Sequence, residues 1–117
     1  MMFMHPAEFP EPGEAPPAEL IAAMMKFNDE LARAGVLLAL DGLMPPAEGT
    51  RVRFDAGRPS VTDGPFTETK ELIGGYWIIE ASSQEEAVQW ASRCPARDGD
   101  MIEVRRVQDV PDDVPAA

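Results

Sequence analysis

Four large residues in a row, Tyr76, Trp77, Ile78 and Ile79, mark the strongest strand signal, and the pattern predicts a strand over 72–80. Alternate side chains of a strand point to opposite faces, so an unbroken apolar run requires cover on both. The helix signal is as clear. Leu20, Met24, Phe27, Leu31 and Ala34 recur every three or four residues, which draws one apolar stripe along a helix over 18–34. Glu19, Lys26, Glu30 and Arg33 fall largely on its other side, with Lys26/Glu30 and Asp29/Arg33 spaced as i,i+4 pairs. Pro16 and Pro17 suit the helix start, and Gly35 suits the position just past its end.

The remaining elements follow from shorter patterns. Met1 to Met4 read as a brief first strand, and the five prolines between His5 and Pro17 make a linker-like loop. Val36 to Leu40 is a strand-type run that ends at Asp41-Gly42. Thr50 to Phe54 alternates Arg51 and Arg53 with Val52 and Phe54, as a half-exposed strand does. It turns at Asp55-Ala56-Gly57-Arg58 and returns through Ser60 to Thr62 as a β-hairpin. Gly74-Gly75 signals a bulge or a close backbone approach. Ser83 and Glu86 form a capping box for a second helix that ends near Cys94-Pro95. Met101 to Val107 is a last strand, with Ile102 and Val104 on one face.

The order β-α-β-β-β-β-α-β fits an α+β fold, a ferredoxin-like split β-α-β sandwich with an inserted hairpin. One such domain occupies residues 1–107, and residues 108–117 are an acidic, Pro-rich tail. Two helices cover only one face of such a sheet. The doubly apolar strand at Tyr76 to Ile79 therefore predicts a second copy of the chain, sheet to sheet, as a homodimer.

Composition narrows the partners. The chain has 117 residues, 44% of them hydrophobic, which suits one globular domain with a modest core. Its net charge of −11 lies mostly in the two ends: residues 1–19 hold four acids and no Lys or Arg, and residues 108–117 hold three acids and no base. Phosphate binding needs clustered Lys and Arg, so nucleic acid is not expected. No apolar run is long enough to span a bilayer, the first ten residues lack a signal-peptide pattern, and the single cysteine, Cys94, suits a reducing compartment. The expectation is a cytoplasmic protein without a membrane partner.

Candidate chemistry concentrates in Asp63-Gly64-Pro65-Phe66-Thr67-Glu68-Thr69-Lys70-Glu71, a turn dense in ionisable groups between two β runs. An Asp before a turn usually caps the N–H two residues on, but that place is Pro65, which has none. Asp63 must bond to Phe66 or Thr67, bond elsewhere, or face a pocket. In one reading Asp63 organises the turn and Phe66 plugs the core. In the other Asp63 is a general base or ligand anchor, a role that needs burial. Lys70 and Glu68 are a solvated face or, functionally, an anion anchor and an acid–base group. Arg51 and Arg53 share a strand face suited to a carboxylate or to neighbouring acids. His5, the sole histidine, reads as a surface residue. Without a His or Cys cluster no metal site is expected, and nothing in the chain signals a cofactor. Cys94 reads as a small buried hydrophobe at a helix end that disfavours a thiolate.

Several segments together resemble the YCII-related family in its DGPF-domain branch. They are Gly35-Val36-Leu37-Leu38, Asp41-Gly42-Leu43, Arg51-Val52-Arg53-Phe54, the run from Thr62 to Leu72, and Arg93-Cys94-Pro95, spread over residues 18–107. The resemblance implies a ferredoxin-like fold and a dimeric α-β barrel assembly. The wider family has a proposed His-Asp pair in a pocket, but where branch members read Gly-Glu-Gly-Leu-His-Pro this chain has Met44 at the histidine. On this basis a dimeric barrel would form a pocket lined by Trp77, Tyr76 and Phe66, with Asp63 at its edge and Arg53 and Lys70 as ligand anchors. The expected function is binding of a small organic molecule there. The alternative is a cofactor-free isomerase or lyase with Asp63 as general base and Glu68 as a further candidate.

Overall fold

The computed structural model describes residues 1–9, 15–66 and 72–109. Four strands form the main sheet: β1 (Met2–His5), β2 (Leu37–Gly42), β5 (Gly75–Ile79) and β6 (Met101–Val104). Their spatial order is β2-β5-β1-β6, and every neighbouring pair is antiparallel. Helix α1 (Ala18–Arg33) links β1 to β2, and α2 (Gln84–Ser92) links β5 to β6. This α+β arrangement is compatible with the ferredoxin-like expectation. Strands β3 (Thr50–Asp55) and β4 (Arg58–Asp63) form a separate two-stranded sheet and, among the described residues, pair only with each other.

Both helices lie on one side of the main sheet. Met2, Phe27, Leu31 and Trp77 form the buried centre, with Met4, Leu40, Ile79, Trp90, Ile102 and Val104 packed around it. Phe27 meets Trp77 edge to face at 5.8 Å, and the Trp77 Nε1–H donates to Asn28 Oδ1 at 2.8 Å. A fully buried side chain of this size contributes about 1.5–3 kcal/mol. Only Phe27 and Leu31 of the predicted helical stripe are fully buried, and Ala34 is exposed.

Local signals decide the boundaries. Gly35 takes φ +76° after α1, its N–H donating to Ala32 O and that of Val36 to Leu31 O, so the last carbonyls are satisfied. Asp29 and Arg33 pair at 2.8 Å as expected, whereas Glu30, expected opposite Lys26, pairs with Arg93 at 2.8 Å and ties α1 to the end of α2. Strand β2 does not stop at Asp41: both Asp41 and Gly42 stay in register with Tyr76 and Gly75. The irregularity falls earlier, between Leu37 and Ala39, and leaves Leu38 exposed. Strand β5 begins at Gly75 rather than Leu72, because Gly74 and Gly75 serve close approaches. A Cβ on Gly75 would meet Asp41 O at 2.9 Å, and one on Gly74 would meet Pro6 at 2.7 Å. The capping box is altered. Ser83 Oγ accepts from the Glu86 N–H at 3.1 Å, but the Glu86 carboxylate turns to the N–H and hydroxyl of Ser82. Those bonds hold its pKa below the ordinary range.

The hairpin is well formed yet uncovered. Ala56 (φ 51°) and Gly57 (φ 80°) make the two-residue turn whose twist matches its strands. Only Arg51 on the two strands is even half-buried, so the expected half-exposed strand is instead open on both faces.

Candidate functional site

The DGPF turn is built by contact with the loop that follows β2. Gly64 donates its N–H to Gly49 O at 2.9 Å, and a Cβ on Gly64 would lie 1.9 Å from Pro46 O. Only glycine fits there. Phe66 lies half-buried beside Gly49, with the Arg51 guanidinium 3.9 Å above its ring, a cation–π contact. Asp63 ends β4, is exposed, and accepts a hydrogen bond from the Thr50 hydroxyl across the hairpin at 3.0 Å. The missing N–H of Pro65 is thus replaced by a side chain on the partner strand. Arg53 is exposed on the hairpin face opposite Asp63. Glu68 and Lys70 lie outside the described residues.

Tyr76 and Trp77 are not brought together. They are neighbours on one strand, so they take opposite faces. Trp77 faces the helices and is buried. Tyr76 faces the other way, in a row that crosses all four strands: Asp41 pairs with Tyr76, Tyr76 with Phe3, and Phe3 with Glu103. The Tyr76 hydroxyl donates to Asp41 Oδ2 at 2.7 Å. That bond, and the negative charge behind it, raise the phenol's pKa above its ordinary 10.0. Two aromatic rings therefore stand between two carboxylates on the side of the sheet that neither helix covers.

His5 belongs to the same side, one alternation beyond Phe3 on β1. It is not the surface residue expected: it is 9% exposed. Its Nε2 lies 3.4 Å from Glu103 Oε1, ion-pair distance, but the geometry is not that of a hydrogen bond, and both enclosed ring nitrogens lack a hydrogen-bond partner among the described residues. Glu103 also lies 3.6 Å from Arg105 Nε. Sequence reading missed His5, Asp41, Phe3 and Glu103. The sequence predicts a strand only from Met1 to Met4, with His5 in the loop beyond it, and the register of all four strands is what puts Asp41, Phe3 and Glu103 in one row with Tyr76 and His5 on the same side.

The rest of the chain offers less chemistry. Cys94 is half-buried, and burial, with the Asp100 charge adding to it, pushes its thiol up to about 11. It packs against the core as the small hydrophobe its sequence suggested. No group of three or more His, Cys, Asp or Glu residues able to hold a metal occurs among the described residues. No described helix is long and apolar enough to cross a membrane.

Comparison with known proteins places this geometry in a family. The chain is 36% identical over 73 residues to an uncharacterised protein of Rhizobium meliloti (strain 1021), a stretch covering 62% of this chain and 56% of the relative. The chain thus spans little more than half of that relative's length. A family model for the YCII-related domain matches residues 1–111, nearly the whole sequence, including the sheet, both helices and the DGPF turn. The chain belongs to the YCII-related family.

Proposed function

We propose that the protein binds a small organic molecule on the side of the sheet that the helices leave open, and that a second copy closes this space in a dimeric α-β barrel. The observation that carries the reading is the row Asp41–Tyr76–Phe3–Glu103. Two aromatic rings offer an apolar platform, and a carboxylate at each end offers acceptors for ligand hydrogen-bond donors, the mix that ligand pockets use. The DGPF turn supports the site indirectly. Gly64 packs on Pro46, five residues after Asp41, and so fixes the loop by which β2 leaves the sheet.

A thermal-shift screen of small carboxylates, phenols, quinones and amines tests this reading, because a ligand of the folded state raises its midpoint. The expected hit stabilises wild type and Asp63→Asn but not Asp41→Asn or Tyr76→Ala. A hit lost only in Asp63→Asn moves the site to the DGPF turn, and a folded protein that answers no probe removes the reading. The alternative, a cofactor-free isomerase or lyase, draws its support from the Tyr76–Asp41 pair, a phenol held against a carboxylate. Asp63, the general base expected from sequence, lies in water beside Thr50. In that alternative Tyr76→Phe abolishes turnover of a screened ligand while leaving its binding intact, and turnover lost in Asp63→Asn instead returns the general base to the DGPF turn.

A further inference from the structure

We infer that the ligand of the helix-free side is an elongated organic cation, a diamine or polyamine with one ammonium at Asp41, one at Glu103 and its carbon chain over Tyr76 and Phe3. This rests on the reading that the helix-free side is the binding site, and it names the class of molecule that the site takes. Each end of the row Asp41–Tyr76–Phe3–Glu103 is a carboxylate, and its middle is aromatic. Adjacent strands lie about 4.8 Å apart, so three steps separate the end residues by about 14 Å, the reach of an extended chain of about ten carbons. Aromatic rings pack against methylenes and attract ammonium groups, so the middle of the row suits such a molecule as well as its ends do.

Both carboxylates have capacity to spare. Asp41 forms no ion pair among the described residues, and its side-chain hydrogen bond there comes from the Tyr76 hydroxyl to Oδ2. A carboxylate accepts through both oxygens, so Oδ1 stays open to an N–H donor. Glu103 Oε2 lies 3.6 Å from Arg105 Nε, but the Arg105 side chain is 72% exposed, and such a surface pair is weak. Beside Glu103 stands the observation that calls for a ligand. His5 is 9% exposed, and neither of its ring nitrogens has a hydrogen-bond partner among the described residues. Buried polar groups are ordinarily satisfied, so an exception needs a specific explanation. An ammonium supplies one. It has several N–H donors, so when held by Glu103 it can also donate to His5 Nε2, 3.4 Å from Oε1, as the ring turns within its broad χ2 well. Charge agrees: with 21 acidic residues against 10 Lys and Arg, the chain draws cations rather than anions.

Titration calorimetry of the full chain with decamethylenediamine, putrescine and sebacate is the test. Decamethylenediamine should bind about tenfold tighter than the shorter putrescine, which reaches one carboxylate at a time, and the dianion sebacate should not bind. Asp41→Asn and Glu103→Gln should each weaken decamethylenediamine about tenfold, as loss of one charge-assisted bond does. Asp55→Asn, on the exposed hairpin, should change little. An affinity that ignores both row substitutions is counterion binding to an acidic chain and overturns the inference, as does equal affinity for the two diamines. Binding of sebacate or a neutral phenol that depends on Asp41 and Tyr76, with no response to either diamine, overturns the cation while leaving the proposed site standing. A folded protein that answers no molecule removes both. One check needs no variant. His5 is the sole histidine, so its ring-nitrogen resonances should shift as decamethylenediamine saturates the wild-type protein, and resonances that stay in place overturn the seat at Glu103.

Discussion

Gly64→Ala is the sharpest perturbation the structure offers. The new Cβ would sit 1.9 Å from Pro46 O and 3.0 Å from its carbonyl carbon, where real Cβ atoms essentially never come closer than 3.0 Å. The obstacle is backbone, so no rotamer change relieves it. Either the turn or the loop at 46–49 must move by about an ångström, and the 2.9 Å bond from Gly64 N to Gly49 O is then lost. Forced overpacking costs about 1–3 kcal/mol and a lost hydrogen bond about 1 kcal/mol more, giving roughly 2–4 kcal/mol. At roughly 4 °C per kcal/mol for a domain of this size, the melting midpoint should fall by about 8–16 °C. Gly42→Ala is the control, since nothing lies within 4 Å of its Cβ position and its φ is not positive. Thermal melting of the three proteins by circular dichroism is the assay. A Gly64→Ala midpoint within a degree or so of the Gly42→Ala midpoint would refute the claim that the DGPF glycine exists for this contact.

Three further outcomes follow from single contacts. Tyr76 is the sole tyrosine, so ultraviolet titration of its phenolate is unambiguous: the midpoint should lie above 10.0 and fall back in Asp41→Asn. Because the folded pKa is the raised one, the bond's contribution to stability is complete below the unfolded pKa and disappears as pH climbs through the folded midpoint. A midpoint unchanged by Asp41→Asn would contradict the pairing. Cys94, with its thiol near 11, should resist thiol reagents at mildly alkaline pH until the protein is unfolded, and rapid labelling of the native state would contradict its burial. Trp77→Phe removes packing volume and leaves Asn28 Oδ1 without its donor, so urea denaturation should show a loss of about 2–3 kcal/mol. A loss under half a kcal/mol would count against the Trp77-centred core.

Sequence and structure agree where a signal is local. The Gly35 helix stop, the Ala56-Gly57 hairpin turn and the Ser83 cap each depend on a few adjacent residues, and each appears where its residue types require. The site depends on register, which no local pattern carries. Asp41 looked like the end of a strand, yet β2 stays in register through Gly42 and pairs Asp41 with Tyr76. His5 looked like a terminal surface residue, yet β1 runs between β5 and β6, which puts it in the middle of the sheet beside Glu103. Tyr76 and Trp77, adjacent in sequence, were expected to line one pocket. The two-residue period of a strand separates them, sending one to the core and the other to the open side.

Chemical-shift mapping of the labelled wild-type protein with the best thermal-shift hit tests the central claim most directly. The account predicts perturbations centred on Phe3, Asp41, Tyr76, Ile78 and Glu103, the residues that share the helix-free side of the sheet. Perturbations centred instead on the helix side, along Val88, Ala91 and Cys94, or confined to the DGPF turn, would contradict it.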